Sequence, residues 1–154
     1  ATEGSAAFDI KSCFKRGDKI RAYNNWNKQV HIVVKGVGTN PNSFQLPPDT
    51  RALIPTGLIF DVPEKHVLKM FIRSSVSLKR GLVLANGTGI IDSDYVDEVF
   101  IMINNETDSL AIINGDDRLA QCILEKNTQI KLSETKTQPA QKTDRDGGFG
   151  STGE

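Results

Sequence analysis

Short apolar runs rich in β-branched residues alternate along the chain with polar turns formed by Gly, Pro, Asn and Asp. No helical periodicity is sustained over about 11 residues or more, and the prolines of the first half would interrupt a long helix. The pattern predicts an all-β fold, a compact barrel or sandwich of short strands. The predicted strand-like runs are residues 30–34, 52–62, 67–72, 99–103, 110–113 and 119–124.

Two segments differ from this pattern. Residues 137–154 hold one large apolar side chain, Phe149, among Gly, Thr, Gln and charged residues. Such a segment buries too little surface to offset its ordering entropy, so we expect a mobile C-terminal arm beside one domain at residues 1–136. At about residues 15–42 the chain carries an apparent insert, in which residues 23–43 hold the one Trp and resemble an added hairpin.

Charge and composition narrow the function. The 19 Lys and Arg residues balance 19 Asp and Glu residues, so no direct binding to nucleic acid or to an anionic membrane is expected. No apolar stretch reaches the roughly 18 residues of a membrane span, and the N-terminus lacks a signal-peptide pattern. We expect a cytoplasmic or other intracellular protein (a nucleus or host cell included), with Cys13 and Cys122 reduced and buried.

The stretch NGTGIIDSDYVDEV at residues 86–99 sets carboxylates and an aromatic residue after a glycine-rich turn and the pair Ile90-Ile91. A carboxylate that follows apolar residues in a turn can be held rigidly with a raised or finely set pKa, which suits it to activate water. Asp92 is therefore the candidate base. On this segment alone, an Asp that merely closes a β-turn remains an alternative.

Three other stretches offer groups that bind phosphate. In the arm, glycines expose backbone N–H groups, and Arg145, Phe149, Ser151 and Thr152 add a charge, a ring and two hydroxyls. The arm lacks the Gly-Lys-Ser or Gly-Lys-Thr ending of a P-loop, and a plain disordered tail is the alternative. IRSSVS at residues 72–77 and DRLAQCI at residues 117–123 each place an arginine at the border of a strand-like run. The candidate phosphate contacts in these two stretches are Arg73, Ser74, Ser75, Arg118 and Gln121. The alternative is that each of them is an ordinary surface residue.

Together these segments resemble the five motifs of the trimeric dUTPase family, in that family's order and over residues 4–153. GSAAFDI at residues 4–10 resembles the first motif, IRSSVS the second and NGTGIIDSDY the third. DRLAQ resembles the fourth and GGFGSTG at residues 147–153 the fifth, while PTGL at residues 55–58 matches a further landmark. Each motif is weak alone, but the ordered set is specific.

The resemblance implies a compact barrel or jelly-roll-like β-clip fold and hydrolysis of dUTP to dUMP and pyrophosphate, with Mg²⁺ as cofactor. It implies a homotrimer whose active sites are shared among subunits. Asp92 matches the carboxylate that activates the attacking water, and Tyr95 matches the ring that leaves no room for a 2′-hydroxyl. Asp9 matches a carboxylate near Mg²⁺ that acts through water, the metal being held mainly by triphosphate oxygens.

The remaining matches concern the substrate. Asn86 and the backbone of residues 86–91, including Gly89 and Ile91, match the part of a hairpin that reads uracil. Phe149 matches the aromatic that closes over the base. The phosphate contacts implied are Arg73, Ser74, Ser75, Gln121, Arg145, Gly150, Ser151 and Thr152.

Two rival functions and one departure remain. dCTP deaminase shares the fold, but its catalytic Glu stands where this chain has Met102, which cannot shuttle protons. A regulatory or structural binder that keeps the fold is the other rival, against which the intact Asp92, Tyr95 and Phe149 argue. The segment YVDEV replaces the family's usual Tyr-Arg-Gly-Glu, so its local contacts are expected to differ.

Overall fold

The computed structural model describes residues 2–144, which form eleven β-strands and one helix. The single helix of this part of the chain is α1 (Ser74–Arg80). The strands in the first half are β1 (Phe8–Lys11), β2 (Lys19–Tyr23), β3 (Gln29–Val33), β4 (Ser43–Leu46), β5 (Arg51–Pro55) and β6 (His66–Ile72). Those that follow α1 are β7 (Leu82–Leu84), β8 (Gly89–Ile91), β9 (Phe100–Asn105), β10 (Ala111–Asn114) and β11 (Arg118–Lys126).

The strands pair into three antiparallel sheets. The five-stranded sheet has the order β3-β2-β5-β9-β7, the four-stranded sheet has the order β1-β11-β6-β8, and β10 pairs with β4. The all-β, jelly-roll-like prediction is confirmed. The barrel alternative is wrong, because the sheets of residues 2–144 end in separate edge strands and none closes on itself.

One hydrophobic core joins the sheets, since side chains alternate between the two faces of each strand. In the five-stranded sheet Ile54, Ile101 and Ile103 are buried, and in the four-stranded sheet Leu68 and Met70 are buried. Burying a side chain of this size stabilises the fold by about 1.5–3 kcal/mol. The faces turned away from this core are left to form surface pockets.

Asn105 at the end of β9 is a fully buried polar residue whose side chain is completely satisfied. Its amide nitrogen donates to the carbonyl oxygens of Leu46, at 3.0 Å, and Ser109, at 2.8 Å. Its amide oxygen accepts from the backbone nitrogen and the hydroxyl of Thr107, at 3.1 and 2.9 Å. The side chain thereby fixes the turn after β9 to the end of β4.

Several sequence expectations need correction. The run at residues 52–62 ends as a strand at Pro55, since Gly57 takes a φ of 67° that breaks the extended conformation. The helix α1 was not expected, because seven residues are too few to show periodicity and only Val76 among them is buried. Cys13 is exposed, whereas Cys122 is buried as expected. Five strands of three to five residues were not predicted: β1, β2, β4, β7 and β8.

Residues 15–42 contain an antiparallel hairpin formed by β2 and β3. The side-chain oxygen of Asn24 accepts from the backbone nitrogens of Trp26 and Lys28, at 3.1 and 2.9 Å, which shapes the turn. Because β2 also pairs with β5, the hairpin extends the five-stranded sheet.

Candidate active site

The segment that carries the candidate base crosses between two sheets. β7 pairs with β9, whereas β8 pairs with β6. Residues 85–88 therefore form a turn between sheets, and the hairpin of two paired strands that the resemblance implied is absent from the described chain. Gly87 takes a φ of 71° in this turn, which a residue with a side chain rarely adopts.

A cleft of about 310 Å³ opens beside this turn, and we call it the turn pocket. Four of the residues predicted to contact the base and sugar line it: Asn86, Gly89, Ile91 and Tyr95. The other residues lining it are Arg21, Leu53, Met70, Ile90, Val99, Phe100 and Met102. Ligand pockets of roughly 300–1,000 Å³ with mostly apolar walls and a few polar groups are typical for small molecules. The turn pocket fits that description.

Gly89 allows β8 to approach β6 closely. A Cβ atom at this position would lie 3.0 Å from Cβ of Met70, its partner across the strands. That distance is shorter than an ordinary van der Waals contact, so a side chain would push β8 away from β6. The absence of a side chain keeps the backbone of residues 89–91 at the wall of the pocket.

Asp92 begins a β-turn directly after β8. Its carbonyl oxygen accepts from the backbone nitrogen of Tyr95, at 3.2 Å. Its carboxylate is exposed and has no hydrogen-bond or ion-pair partner within residues 2–144. The backbone thus closes the turn while the carboxylate stays free to bind water, so the two interpretations of Asp92 are compatible.

A second group of predicted residues lies where β1 pairs with β11. One oxygen of the Asp9 carboxylate is 2.9 Å from Nε of Arg73, and the other is 3.3 Å from Nη1 of Arg118. Gln121 faces Asp9 across the strands, and a cleft of about 660 Å³ opens beside them. We call Asp9, Arg73 and Arg118 the arginine cluster. With two guanidinium groups on one carboxylate, it keeps a net positive charge for an anion.

The two candidate serines lie at the start of α1, next to this cluster. Ser74 and Ser75 are both exposed. Ser75 lines a further cleft of about 440 Å³ together with Arg73, Lys79, Arg80 and Arg118. Asp116 and Asp117 line the same cleft, and Asp117 pairs with Arg80 at 3.0 Å, so the positive charge beside Ser75 is partly neutralised.

The turn pocket and the arginine cluster are separated along β6. Ile91 pairs with Leu68, which places Asp92 near the level of Val67, whereas Arg73 follows the last residue of β6. Six residues of extended chain span about 20 Å. Arg73 and Asp92 of one chain therefore lie towards opposite ends of β6.

A sequence profile of the dUTPase family matches residues 39–153, which is most of the chain. The chain belongs to the dUTPase family. The matched range includes PTGL and the second to fifth motifs but begins after Asp9 and the β2–β3 hairpin. The family assignment predicted from the ordered motifs is confirmed.

Relatives of known identity agree with this assignment. The deoxyuridine 5'-triphosphate nucleotidohydrolase of Finegoldia magna is 41% identical over 113 residues, which cover 73% of this chain and 78% of that protein. The enzyme of the same name from Rhizobium etli is 39% identical over 109 residues, covering 70% of this chain and 69% of that protein.

Solved dUTPases share the fold. The Streptococcus mutans dUTPase superposes with a TM-score of 0.63 at 24% identity and covers 84% of either chain. A variant of the Staphylococcus bacteriophage 80alpha dUTPase with dUpNHpp superposes with a TM-score of 0.70 at 21% identity, covering 99% of this chain and 89% of that one.

The predicted arm, any group of metal ligands and any membrane-spanning helix can be described only as far as residues 2–144 extend. The arm residues Arg145, Phe149, Gly150, Ser151 and Thr152 lie outside residues 2–144. Within that range no three His, Cys, Asp or Glu side chains are grouped so that they could hold a metal. No helix in the same range is long and apolar enough to cross a membrane.

Some residues of the site were not predicted from the sequence. Arg21, Leu53 and Met102 lie on neighbouring strands β2, β5 and β9 and line the turn pocket from the outer face of that sheet. The sequence indicates them only in that each one stands between two apolar residues that prove to be buried. Glu98 was also missed, and its contacts are described below.

Proposed function

We propose that this protein hydrolyses dUTP to dUMP and pyrophosphate. The supporting observation is that Asn86, Gly89, Ile91 and Tyr95 line one pocket in a chain of the dUTPase family. Asp92, which follows Ile91 in the chain, has a free carboxylate but is not itself among the lining residues. Such hydrolysis limits the incorporation of uracil into DNA and supplies dUMP for the synthesis of dTTP. The pool of nucleotides on which it acts makes an intracellular location the natural one.

The turn pocket divides recognition between hydrogen bonds and shape. The amide of Asn86 and the backbone groups of residues 86–91 read the edge of uracil. The ring of Tyr95 packs against the deoxyribose and leaves no room for a 2′-hydroxyl. Tyr95 is 40% exposed in this chain, so its ring is available to a ligand.

Asp92 acts as the general base. Its carboxylate takes a proton from a bound water while the water oxygen forms a bond to the α-phosphorus. The bond from that phosphorus to the bridging oxygen breaks, and pyrophosphate leaves with the bonding electrons. A positioned general base typically increases the rate of the reaction by about 10²–10⁴-fold.

The phosphate chain is bound by a different set of groups. Arg73, Ser74, Ser75 and Gln121 supply charge and hydrogen-bond donors from one face. The arm supplies Arg145, Gly150, Ser151 and Thr152, and Phe149 closes over the base. Closure that excludes water and aligns the nucleophile with the phosphorus can lower the activation free energy by roughly 7–11 kcal/mol.

The carboxylate that the family resemblance assigns to Mg²⁺ is that of Asp9, and both of its oxygens face arginines. This donor set fits a metal bound mainly by triphosphate oxygens and water, with Asp9 acting through water. When bound, Mg²⁺ would neutralise the charge that develops on the phosphates.

A homotrimer resolves the separation of the two halves of the site. About 20 Å of β6 lies between Asp92 and Arg73 in one chain. A second copy that brings its arginine cluster to the first copy's turn pocket completes the site, and the arm of a third copy covers it. Each active site then contains residues of all three subunits.

The test is a pyrophosphate-release assay with dUTP, dCTP, dTTP and UTP, with and without EDTA. We expect rapid release from dUTP alone and loss of release with EDTA. Ammonia release from dCTP would support a deaminase, although Met102 lies at the position where a deaminase carries its Glu. Binding of dUTP without turnover would support a regulatory binder and refute the proposal.

A further inference from the structure

Glu98 connects the segment that carries Tyr95 to the loop at residues 55–58. Oε1 of its half-buried carboxylate accepts from the backbone nitrogens of Thr56, at 3.1 Å, and Gly57, at 2.8 Å. Hydrogen bonds from N–H groups to an ionised acceptor are about twice as strong as those between neutral groups. The carboxylate therefore fixes Glu98 to this loop.

The loop is itself rigidly held. The hydroxyl of Thr56, which is 5% exposed, donates to the carbonyl oxygen of Val99 and accepts from the backbone nitrogen of Leu58 at 3.2 Å. Val99 donates back to the carbonyl oxygen of Leu58, at 2.9 Å. Gly57 takes a φ of 67°, and a Cβ there would lie 3.2 Å from Sγ of Cys13. Glu98 is thus anchored to a loop with little freedom to move.

The position of Glu98 is transmitted to the ring of Tyr95. The Tyr95 hydroxyl donates to the carbonyl oxygen of Glu98, at 2.9 Å. The backbone nitrogen of Tyr95 is held by Asp92, as described above. The ring is therefore fixed at both ends, at its backbone by the turn after β8 and at its hydroxyl by Glu98.

We propose that Glu98 is a positioning residue for selection of the sugar, holding the Tyr95 ring at the distance that excludes a 2′-hydroxyl. This inference rests on the proposed function. Exclusion of a hydroxyl by shape tolerates little movement of the ring. Even a well-formed pocket discriminates in this way by only about 10²-fold in kcat/KM. Release of the ring should therefore weaken selection against ribose before it weakens recognition of the base.

The experiment measures kcat/KM for dUTP, UTP and dCTP in the wild type, Glu98→Ala, Tyr95→Phe and the double variant. Each single change should lower the preference for dUTP over UTP by about tenfold or more, with the preference over dCTP changed less than about twofold. The double variant should be no worse than the single variants, because both changes cut one connection.

Two control variants accompany them. Asp97→Ala removes the neighbouring exposed carboxylate, which has no hydrogen bond or ion pair in the described chain, and it should leave both preferences unchanged. Glu98→Gln keeps an acceptor oxygen for the two backbone nitrogens and should restore most of the preference. If Glu98→Ala fails to fold, Tyr95→Phe tests the same connection from its other end.

An unchanged preference over UTP in Glu98→Ala or Tyr95→Phe would overturn the proposal, as would strictly additive effects in the double variant. Equal loss of both preferences would also overturn it, since Glu98 would then support the whole turn. These outcomes are distinct from failure of the proposed function, in which the wild type itself would not hydrolyse dUTP.

Discussion

Mixing two inactive variants should restore activity if each site draws Asp92 from one subunit and Arg73 from another. Asp92→Asn removes the base but keeps the arginine cluster, and Arg73→Ala removes a phosphate contact but keeps the base. Each homotrimer alone should have little activity. In a mixed trimer, a site between a subunit of one kind and a neighbour of the other contains both native residues.

The expected recovery follows from random assembly. With equal amounts of both chains, a given site receives a native Asp92 with a probability of one half and a native Arg73 with the same probability. About one quarter of the sites should therefore be intact, and activity should return to about one quarter of the wild type. If one chain supplied both residues, no site would be restored.

The assay is pyrophosphate release from dUTP after the two chains are unfolded together and refolded, with native mass spectrometry to verify mixing. A matched control mixes the wild type with the double variant Asp92→Asn/Arg73→Ala in equal amounts. The shared site predicts about one quarter of wild-type activity there, and a site within one chain predicts about one half. No recovery in the first mixture, together with one half in the control, would refute the reasoning.

Three further predictions concern stability, ionisation and the arm. Asn105→Leu should lower the free energy of unfolding by about 3 kcal/mol or more, because four hydrogen bonds are lost and buried groups lose their partner; an unchanged denaturation midpoint would contradict this. Burial raises the pKa of the Cys122 thiol to about 12, so the unfolded chain ionises first. Stability should then fall by about 1.4 kcal/mol per unit as pH rises from about 8.5 towards the folded pKa, and Cys122→Ala should abolish this part of the slope. Truncation after Pro139 should leave a folded trimer with activity reduced by at least about 10²-fold; sedimentation showing monomers would mean that the arm is structural.

The sequence motifs predict which residues belong to the candidate site, whereas the positions of these residues relative to one another become visible only in the structure. Asp92 and Tyr95 were identifiable because an ordered set of short motifs is specific even where each motif is weak. Strand pairing was not identifiable, since it depends on contacts between distant residues. Only the pairing of β8 with β6 reveals that Asp92 and Arg73 lie towards opposite ends of β6, which is the basis for proposing a site shared between subunits.

Glu98 illustrates a second limit. Its sequence neighbours Asp94 and Asp97 are equally acidic, and the sequence does not show which of the three carboxylates contacts another segment of the chain. The difference appears only when the loop at residues 55–58 turns the backbone nitrogens of Thr56 and Gly57 towards one of them. Conversely, the hairpin of β2 and β3 was anticipated as a hairpin, but nothing in its sequence placed Arg21 in the turn pocket.

The most direct test of the proposed mechanism compares turnover and binding in Asp92→Asn. The substitution removes the base and leaves the groups of the turn pocket and the arginine cluster in place. Turnover of dUTP should fall by about 10²–10⁴-fold, while the Kd for dUTP measured by calorimetry stays within a few-fold of the wild type. Full turnover in Asp92→Asn would contradict the assignment of Asp92 as the base.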